Sequence, residues 1–519
     1  MHPTFFIPNY TLISILLCIS LTSHAQKWEI YDSLPASAFV ESYDGGYYFA
    51  TYIYFHKTDV NGKILWRKEI GLPRDLPTVS ATVSTKDGGV VLAGITAGAD
   101  SNNAASLIKL NSCGEVEWSK IYDLNEYLSG TGQIFLMKNG DLVVSYYMAD
   151  HENKHGNWIF RTDSTGNLKY QSFNTVQDIN AIIDKDNNII TSGLIYLPIP
   201  NEPGVNILCG GLVKTNPNGH VDWVSTYTIG REIPVFDQAT QQTQDGGYLT
   251  LGGEVADKQK NTELVLIKTD TSGNIRWTKL IGDTTRYENP IDMVKVNDSL
   301  YLVATFSLNK YAKNMHHSAF IKFMIIDTSG KVYKTGSYSN NHWTTVFTNI
   351  YPISDGKFML CGYVNDSNAS GYPVNMQALD IKINQNLELD SFATHDTIKY
   401  DYKCPGKIPW YGQIYYTGDT IPIQAPSTLG VAIHSLLNTS SLYPNPANDH
   451  IVIIASGLSY GAATYSVYDM LGNKVNNYVF STIDGILNKE ISLSGYAKGM
   501  YYIEIIQRDK RYTQKFIVE

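Results

Sequence analysis

Three stretches of this 519-residue chain carry residue types whose spacing could do chemistry. His151-Glu152-Asn153-Lys154-His155 has the H-E-x-x-H spacing, with which a helix presents two imidazoles to zinc and a glutamate to the zinc-bound water. Gly457-Leu458-Ser459-Tyr460-Gly461 has the G-x-S-x-G spacing of a nucleophile elbow, which requires a strand-turn-helix setting and a partner histidine. His316-His317 would serve a metal only if other ligands converged on it. None of the three finds its setting. The first lies between two alternating, strand-like segments, Asp141–Tyr147 and Asn157–Arg161, so a hairpin loop is expected in place of a helix, and no third-ligand motif follows. No histidine follows His450, which removes the base that Ser459 would need. His316-His317 reads as surface loop. Carboxylate pairs for glycoside hydrolysis would have to be assembled from distant parts of the chain, and no pair is marked. The expectation is therefore no catalytic, metal-binding or cofactor-binding residue and no cofactor.

The elements that would position any site come from internal repetition. One phrase, Asp/Asn-x-x-Gly followed by an alternating strand that usually bears an aromatic, runs TDVNGKILW from Thr58, LNSCGEVEW from Leu110 and TDSTGNLKY from Thr162. It returns as TNPNGHVDW from Thr215, TDTSGNIRW from Thr269 and IDTSGKVYK from Ile326, with a degraded copy, INQNLELDS, from Ile383. The turn glycines Gly62, Gly114, Gly166, Gly219, Gly273 and Gly330 stand 52 to 57 residues apart, a propeller-like period. A second phrase, Asp-Gly-Gly and an apolar strand, precedes most copies of the first: DGGYYFA at Asp44, DGGVVLAG at Asp87, DGGYLTLGG at Asp245 and DGKFMLCG at Asp355.

Each unit thus reads as four short strands with apolar residues on both faces, which must pack face to face around an axis. The fold class expected is all-β: a seven-bladed β-propeller over residues 27–394, followed by a small Ig-like β-sandwich. Six or eight blades are also compatible with the strand count. The piece Lys27-Trp28-Glu29-Ile30-Tyr31 resembles the last strand of a unit (compare Trp118-Ser119-Lys120-Ile121-Tyr122) and could pair with the final blade to close the ring. The repeated tryptophans read as packing between blades, and the repeated aspartates as Asx-turn residues. The blades are also similar to those of quinoprotein dehydrogenases and related assembly-factor propellers in placing a Gly turn before a Trp. The adjacent-cysteine element of many such dehydrogenases is absent, so this similarity concerns the fold alone.

The ends and composition limit the function classes. The apolar run Leu12–Leu21 followed by Ser23-His24-Ala25-Gln26 is the pattern of a secretory signal peptide, residues 1–25, cut between Ala25 and Gln26. The run is shorter than the roughly 20 residues a membrane helix needs, and no later stretch is apolar enough to span. A net charge of -9 with no basic cluster argues against nucleic acid. Four cysteines (Cys113, Cys209, Cys361, Cys404) remain beyond the signal segment, far apart; at most one pair is expected to be bonded.

After Thr394 the pattern changes. Residues 395–440, with Pro405, Pro409, Pro422 and Pro426, read as a partly extended linker. Residues 441–519 read as a compact β module whose landmarks are Tyr443-Pro444-Asn445-Pro446, Val467-Tyr468-Asp469-Met470-Leu471-Gly472, Gly499-Met500-Tyr501 and the basic run Arg511 to Lys515 before Phe516. On these motifs the tail resembles the type A C-terminal sorting domain of the type IX secretion system of Bacteroidetes. The resemblance implies export to the cell surface or medium by way of the periplasm. It also implies partners in the secretion machinery and a sortase-like peptidase that removes the tail, with Tyr443, Pro444, Asn445, Pro446, Gly499, Tyr501 and Lys515 as sorting-motif residues. The leading expectation for the propeller is a non-catalytic binding or scaffold module, with a glycan, peptide or protein ligand at its loops. Residues Tyr196 to Ile207 and Leu308 to Ser318, the most variable insertions, are the first candidates. An exported hydrolase and a structural or adhesive surface component are the alternatives.

Overall fold

The computed structural model describes residues 27–32, 36–51, 53–71, 78–97, 103–124, 127–128, 133–149, 155–174, 176–198, 206–227, 235–255, 262–283, 285–309, 320–340, 344–367, 373–393, 397–415, 420–423, 440–443, 445–455, 461–482, 487–507 and 510–519. The signal segment with Ala25 and Gln26, residues 151–154, His316-His317 and Pro444 lie outside the described residues.

The turns explain why the chain reverses so often. In the fifth unit, strands Val235–Gln242, Tyr248–Val255, Thr262–Thr269 and Ile275–Ile281 pair antiparallel in chain order. In the turn after the first strand, Asp245 Oδ1 accepts the Gly247 N–H at 3.0 Å. In the turn after the third, Asp270 Oδ1 accepts the N–H groups of Ser272 and Asn274, both at 2.9 Å. These are Asx turns, as expected of the repeated aspartates.

Equivalent four-stranded meanders form from residues 38–71, 78–123, 127–174, 176–227 and 286–338. The described residues form seven blades, because the last is composite: residues 344–383 supply three strands, and Glu29–Asp32 supplies the fourth by pairing antiparallel with Pro373–Ile383. The N-terminal strand closes the ring. This also accounts for the degraded seventh phrase: its strand position is filled from the other end of the chain, and its turn has Leu387 at φ +63° where the other six have glycine. First strands of successive blades lie side by side around the axis.

Apolar clusters fill every seam between adjacent blades. Tyr48, Phe55, Trp66, Leu92 and Ile108 fill the seam between blades 1 and 2, Trp158, Phe160, Tyr122 and Leu107 that between 2 and 3, and Trp28, Phe39, Phe49, Met359 and Cys361 that between 7 and 1. The fourth-strand aromatic of one blade covers the turn glycine of the next: Trp66 on Gly114, Trp118 on Gly166, Tyr170 on Gly219, Trp223 on Gly273 and, across the closure, Trp28 on Gly62. Gly273 shows why glycine is needed twice over. Its φ is +80°, and a Cβ there would stand 2.8 Å from the Trp223 ring. The tryptophans are inter-blade packing elements.

The seam between blades 7 and 1 also buries a carboxyl. Asp380 takes a hydrogen bond from Cys361 and faces Asp32, which is itself paired with Arg67 at 3.1 Å. Burial, with a smaller contribution from Asp32, pushes the Asp380 carboxyl up to about 7, and its Oδ1 has no hydrogen-bond partner among the described residues. The folded state therefore keeps a proton that the unfolded chain releases near its ordinary value of 3.8. The contribution of this group to stability falls as pH rises through that window, by at most about 1.4 kcal/mol per pH unit, and levels off above about pH 7. Asp380→Asn removes this contribution; of those that remain in the window, buried Asp292, raised to about 6, has the same sign, and buried His56, lowered to about 4, has the opposite one. Urea titrations across this pH range, followed by tryptophan fluorescence, check it; an unchanged slope in the variant contradicts it.

The stretch expected as a linker docks on the propeller. Tyr411–Tyr415 adds in parallel to the fourth strand of blade 1, and Thr420–Pro422 adds in parallel to that of blade 2. Ile414 and Ile423 enter the cores beneath. Cys404 forms a disulfide with Cys113 in a blade 2 turn, whereas Cys209 and Cys361 are buried thiols. Pro422 stands on an outermost strand, the sheet position that tolerates proline.

Candidate functional site

Antiparallel meanders sort the loops onto two rims. Connections from first to second and from third to fourth strand share one rim; connections from second to third strand lie on the other. The first rim is made of the tight Asp-Gly turns. In chain order the insertion candidates Tyr196 to Ile207 and Leu308 to Ser318 fall between the second and third strands of blades 4 and 6; their residues 199–205 and 310–318 lie outside the described residues. The H-E-x-x-H stretch occupies the same connection in blade 3. His155 is the first residue of the strand His155–Thr162, paired with Ala149, so the motif's last histidine is on a strand and not a helix. Of G-x-S-x-G only Gly461 is described, and it begins the strand Gly461–Asp469. Among the described residues no group of three or more His, Cys, Asp or Glu side chains could hold a metal ion, and no helix is long and apolar enough to cross a membrane.

The repeated charged residues on the tight-turn rim form one device, missed at the sequence level. In six of the seven blades the turn aspartate meets a cation from the third strand: Lys57–Asp44 at 2.5 Å, Lys109–Asp87 at 2.9 Å, Arg161–Asp141 at 2.5 Å, Lys214–Asp184 at 3.4 Å, Lys268–Asp245 at 3.0 Å and Lys382–Asp355 at 3.3 Å. The signal was present in the sequence: a basic residue recurs two positions before the Asp/Asn in six of the seven copies of the first phrase, as in Ile-Lys-Thr-Asp. Blade 6 has Ile325 at that position, and its Asp298 is exposed. These pairs tie each hairpin to its own blade and serve the scaffold.

Lys57 is the extreme case. Its side chain is 0% exposed, and Nζ also meets Asp401 of the docked strap at 2.6 Å. Lys109 has a second carboxylate from its own blade, Glu117 at 3.1 Å. The matching residue in blade 1 is Leu65, and the strap supplies what is missing. Tyr43 and Tyr48 face the ammonium with ring centroids 4.6 and 5.4 Å away. Burial alone would raise the Asp44 carboxyl, but hydrogen bonds from Lys57, Ser42 and the Asp401 N–H hold it below its ordinary value.

The tail forms two sheets around one core. Ser440–Tyr443, His450–Ala455 and Leu487–Ser492 make the smaller; Lys474–Thr482, Gly461–Asp469, Gly499–Gln507 and Lys510–Val518 make the larger, in that order. The separated motifs converge here. Tyr443 is in register with Val452. The Asn445-Pro446 peptide is cis. The Asn445 amide copies a peptide group: Nδ2 donates to the Lys515 carbonyl and Oδ1 accepts the Ile517 N–H, both at 2.9 Å. Ala447 continues the seam with bonds of 2.8 Å to Ile517 and Glu519. Gly499 has φ +153°, a conformation that L side chains rarely adopt. Tyr501 donates to the Ala497 carbonyl at 2.8 Å and stacks on Phe516. Lys515 is bound through its backbone, and the residue is exposed. The opening motif is thus stitched to the final strand, so the tail is complete only when its last residues are present. Its Asp469–Gly472 turn repeats the propeller's Asx geometry but carries Met470 and Leu471, 58% and 87% exposed, where most propeller copies have polar residues.

The family model described as "Secretion system C-terminal sorting domain" matches residues 441–519. The tail is a type IX sorting domain. The chain is therefore cargo of that secretion system, directed to the cell surface or exterior, and the sorting domain engages its machinery. No curated protein matches the chain. Similar solved structures include an ulvan lyase of polysaccharide lyase family PL25 (12% identity, 65% of this chain and 94% of that chain, TM-score 0.43). Others are a protein of unknown function from Dyadobacter fermentans (12%, 59% and 94%, TM-score 0.37) and a europium-containing methanol dehydrogenase (11%, 62% and 72%, TM-score 0.36). None of these likenesses carries an argument about activity.

Proposed function

We propose that the propeller is a non-catalytic binding or scaffold module, carried through the periplasm and delivered outside the cell once a sortase-like peptidase has removed the sorting domain. The match of residues 441–519 to the sorting family carries the delivery half of this reading. Two features support the other half. The repeated carboxylates of the tight-turn rim are paired with lysine or arginine of their own blades. In chain order the insertions Tyr196 to Ile207 and Leu308 to Ser318 both fall between the second and third strands of their blades, a connection suited to meeting a glycan, peptide or protein ligand.

Mass analysis of the protein from medium, cell surface and periplasm tests the delivery, in cells with and without the type IX machinery. The exported form is expected to begin at Gln26 and to lack the tail from about residue 440, and cells without the machinery are expected to retain tailed protein in the periplasm. Tailed protein held in the periplasm of normal cells would overturn the reading and make the tail a working domain of the mature protein.

A further inference from the structure

Besides the burial of Ile414 and Ile423 and the bonds of Tyr400 and Lys403 to Val60 and Asp87, the strap formed by residues 397–415 and 420–423 has three ties, and the three are unequal. Its strands are short: Tyr411–Tyr415 pairs with 67–71 and Thr420–Pro422 with 121–123, each in parallel on an outermost strand. Such pairings are marginal alone. Asp401 gives one carboxylate to Lys57 and accepts a bond from Trp66 Nε1 at 3.4 Å. The third tie is covalent, Cys113 to Cys404.

The order of the residues along the chain matters. Cys113 belongs to blade 2, whereas Cys404 follows blade 7. Between them the chain leaves Ile383 and crosses to blade 1, where Asn61 and Ala393 exchange bonds of 3.1 and 2.7 Å. It then reaches blade 2. In the closed ring the strap thus runs from the seam between blades 7 and 1, which Trp28 seals from inside, to blade 2.

We propose that the Cys113–Cys404 disulfide is a redox latch: it locks the strap across the closed ring after export into an oxidising compartment, and a dithiol reductant releases the strap without unfolding the blades. Closing the latch takes two electrons and two protons from the two thiols and passes them to the disulfide of a thiol oxidoreductase, which becomes a dithiol. Opening is the reverse exchange, with dithiothreitol leaving as its cyclic disulfide. Cys209 and Cys361 are buried and stand outside this chemistry.

The test uses the full chain. Peptide mapping under non-reducing conditions is expected to recover Cys113 and Cys404 as one linked pair and Cys209 and Cys361 as thiols. Hydrogen exchange is then compared with and without dithiothreitol. Protection of residues 411–415 and 420–423 is expected to fall about 10- to 100-fold on reduction, while the strands of blade 5 keep theirs. The variant Cys113→Ser/Cys404→Ser should match the reduced protein; should it fail to fold, reduction of the native protein still decides. Strap protection unchanged after the bond is opened would overturn the proposal, as would recovery of Cys113 and Cys404 as free thiols from exported protein.

Discussion

Trp28→Ala lowers the unfolding free energy of the propeller by about 3–5 kcal/mol, the range for removing a fully buried tryptophan. Trp28 is fully buried, it donates from Nε1 to the Val60 carbonyl at 2.9 Å, and it meets Tyr47 and Phe392 edge-on. The strand behind it, Glu29–Asp32, is only four residues long, so little else compensates. Tryptophan fluorescence is a clean probe, because all eight tryptophans lie at or before Trp410 and none is in the sorting domain. The control is Trp223→Ala in the seam between blades 4 and 5, where the ring is only partly buried and the cost should be smaller. Equal midpoint shifts in denaturant would mean that the closure is no more critical than any other seam.

Lys57→Met is expected to be as severe, at about 3–5 kcal/mol, for an electrostatic reason. The methionine fills the space but leaves the Asp44 carboxylate, 1% exposed, without its cation, and Asp401 loses the same partner. The sequel is diagnostic. Adding Asp44→Asn to Lys57→Met should recover much of the loss, since a buried charge without a partner is the main penalty. Lys268→Met, whose partner Asp245 is 66% exposed, should cost clearly less. Denaturant unfolding of the three variants checks the ranking, and a double variant no better than Lys57→Met would show that Lys57 acts by packing alone.

The blade repeat was legible because turn chemistry is local. Asp-Gly-Gly and Asp-x-x-Gly specify their reversals within five residues, and alternation between turns leaves a four-stranded meander as the natural reading. The ring-closing role of Trp28 could also be read, since Trp28-Glu29-Ile30-Tyr31 copies a fourth strand that has no first three before it. The basic partners of the turn aspartates were visible as a recurring residue, yet their pairing was not, because each pair joins positions 13 to 30 residues apart across a hairpin. The docking of the strap was hidden for a related reason. Its prolines and scattered aromatics have no period, and its strand character comes from the edges of blades 1 and 2.

Local pattern therefore determined the all-β class, the unit of repetition, the closure by the N-terminal strand and the sorting identity of the tail, whose motifs are contiguous runs of residues. Only the tertiary structure decided that the blades number seven, that Cys113 finds Cys404, that Leu65 in blade 1 is answered by Asp401 from the strap, and that Asn445 clamps the last strand. Each of these joins residues distant in sequence. Such contacts form only after loop closure has brought their surfaces together, and a local pattern holds no record of that geometry.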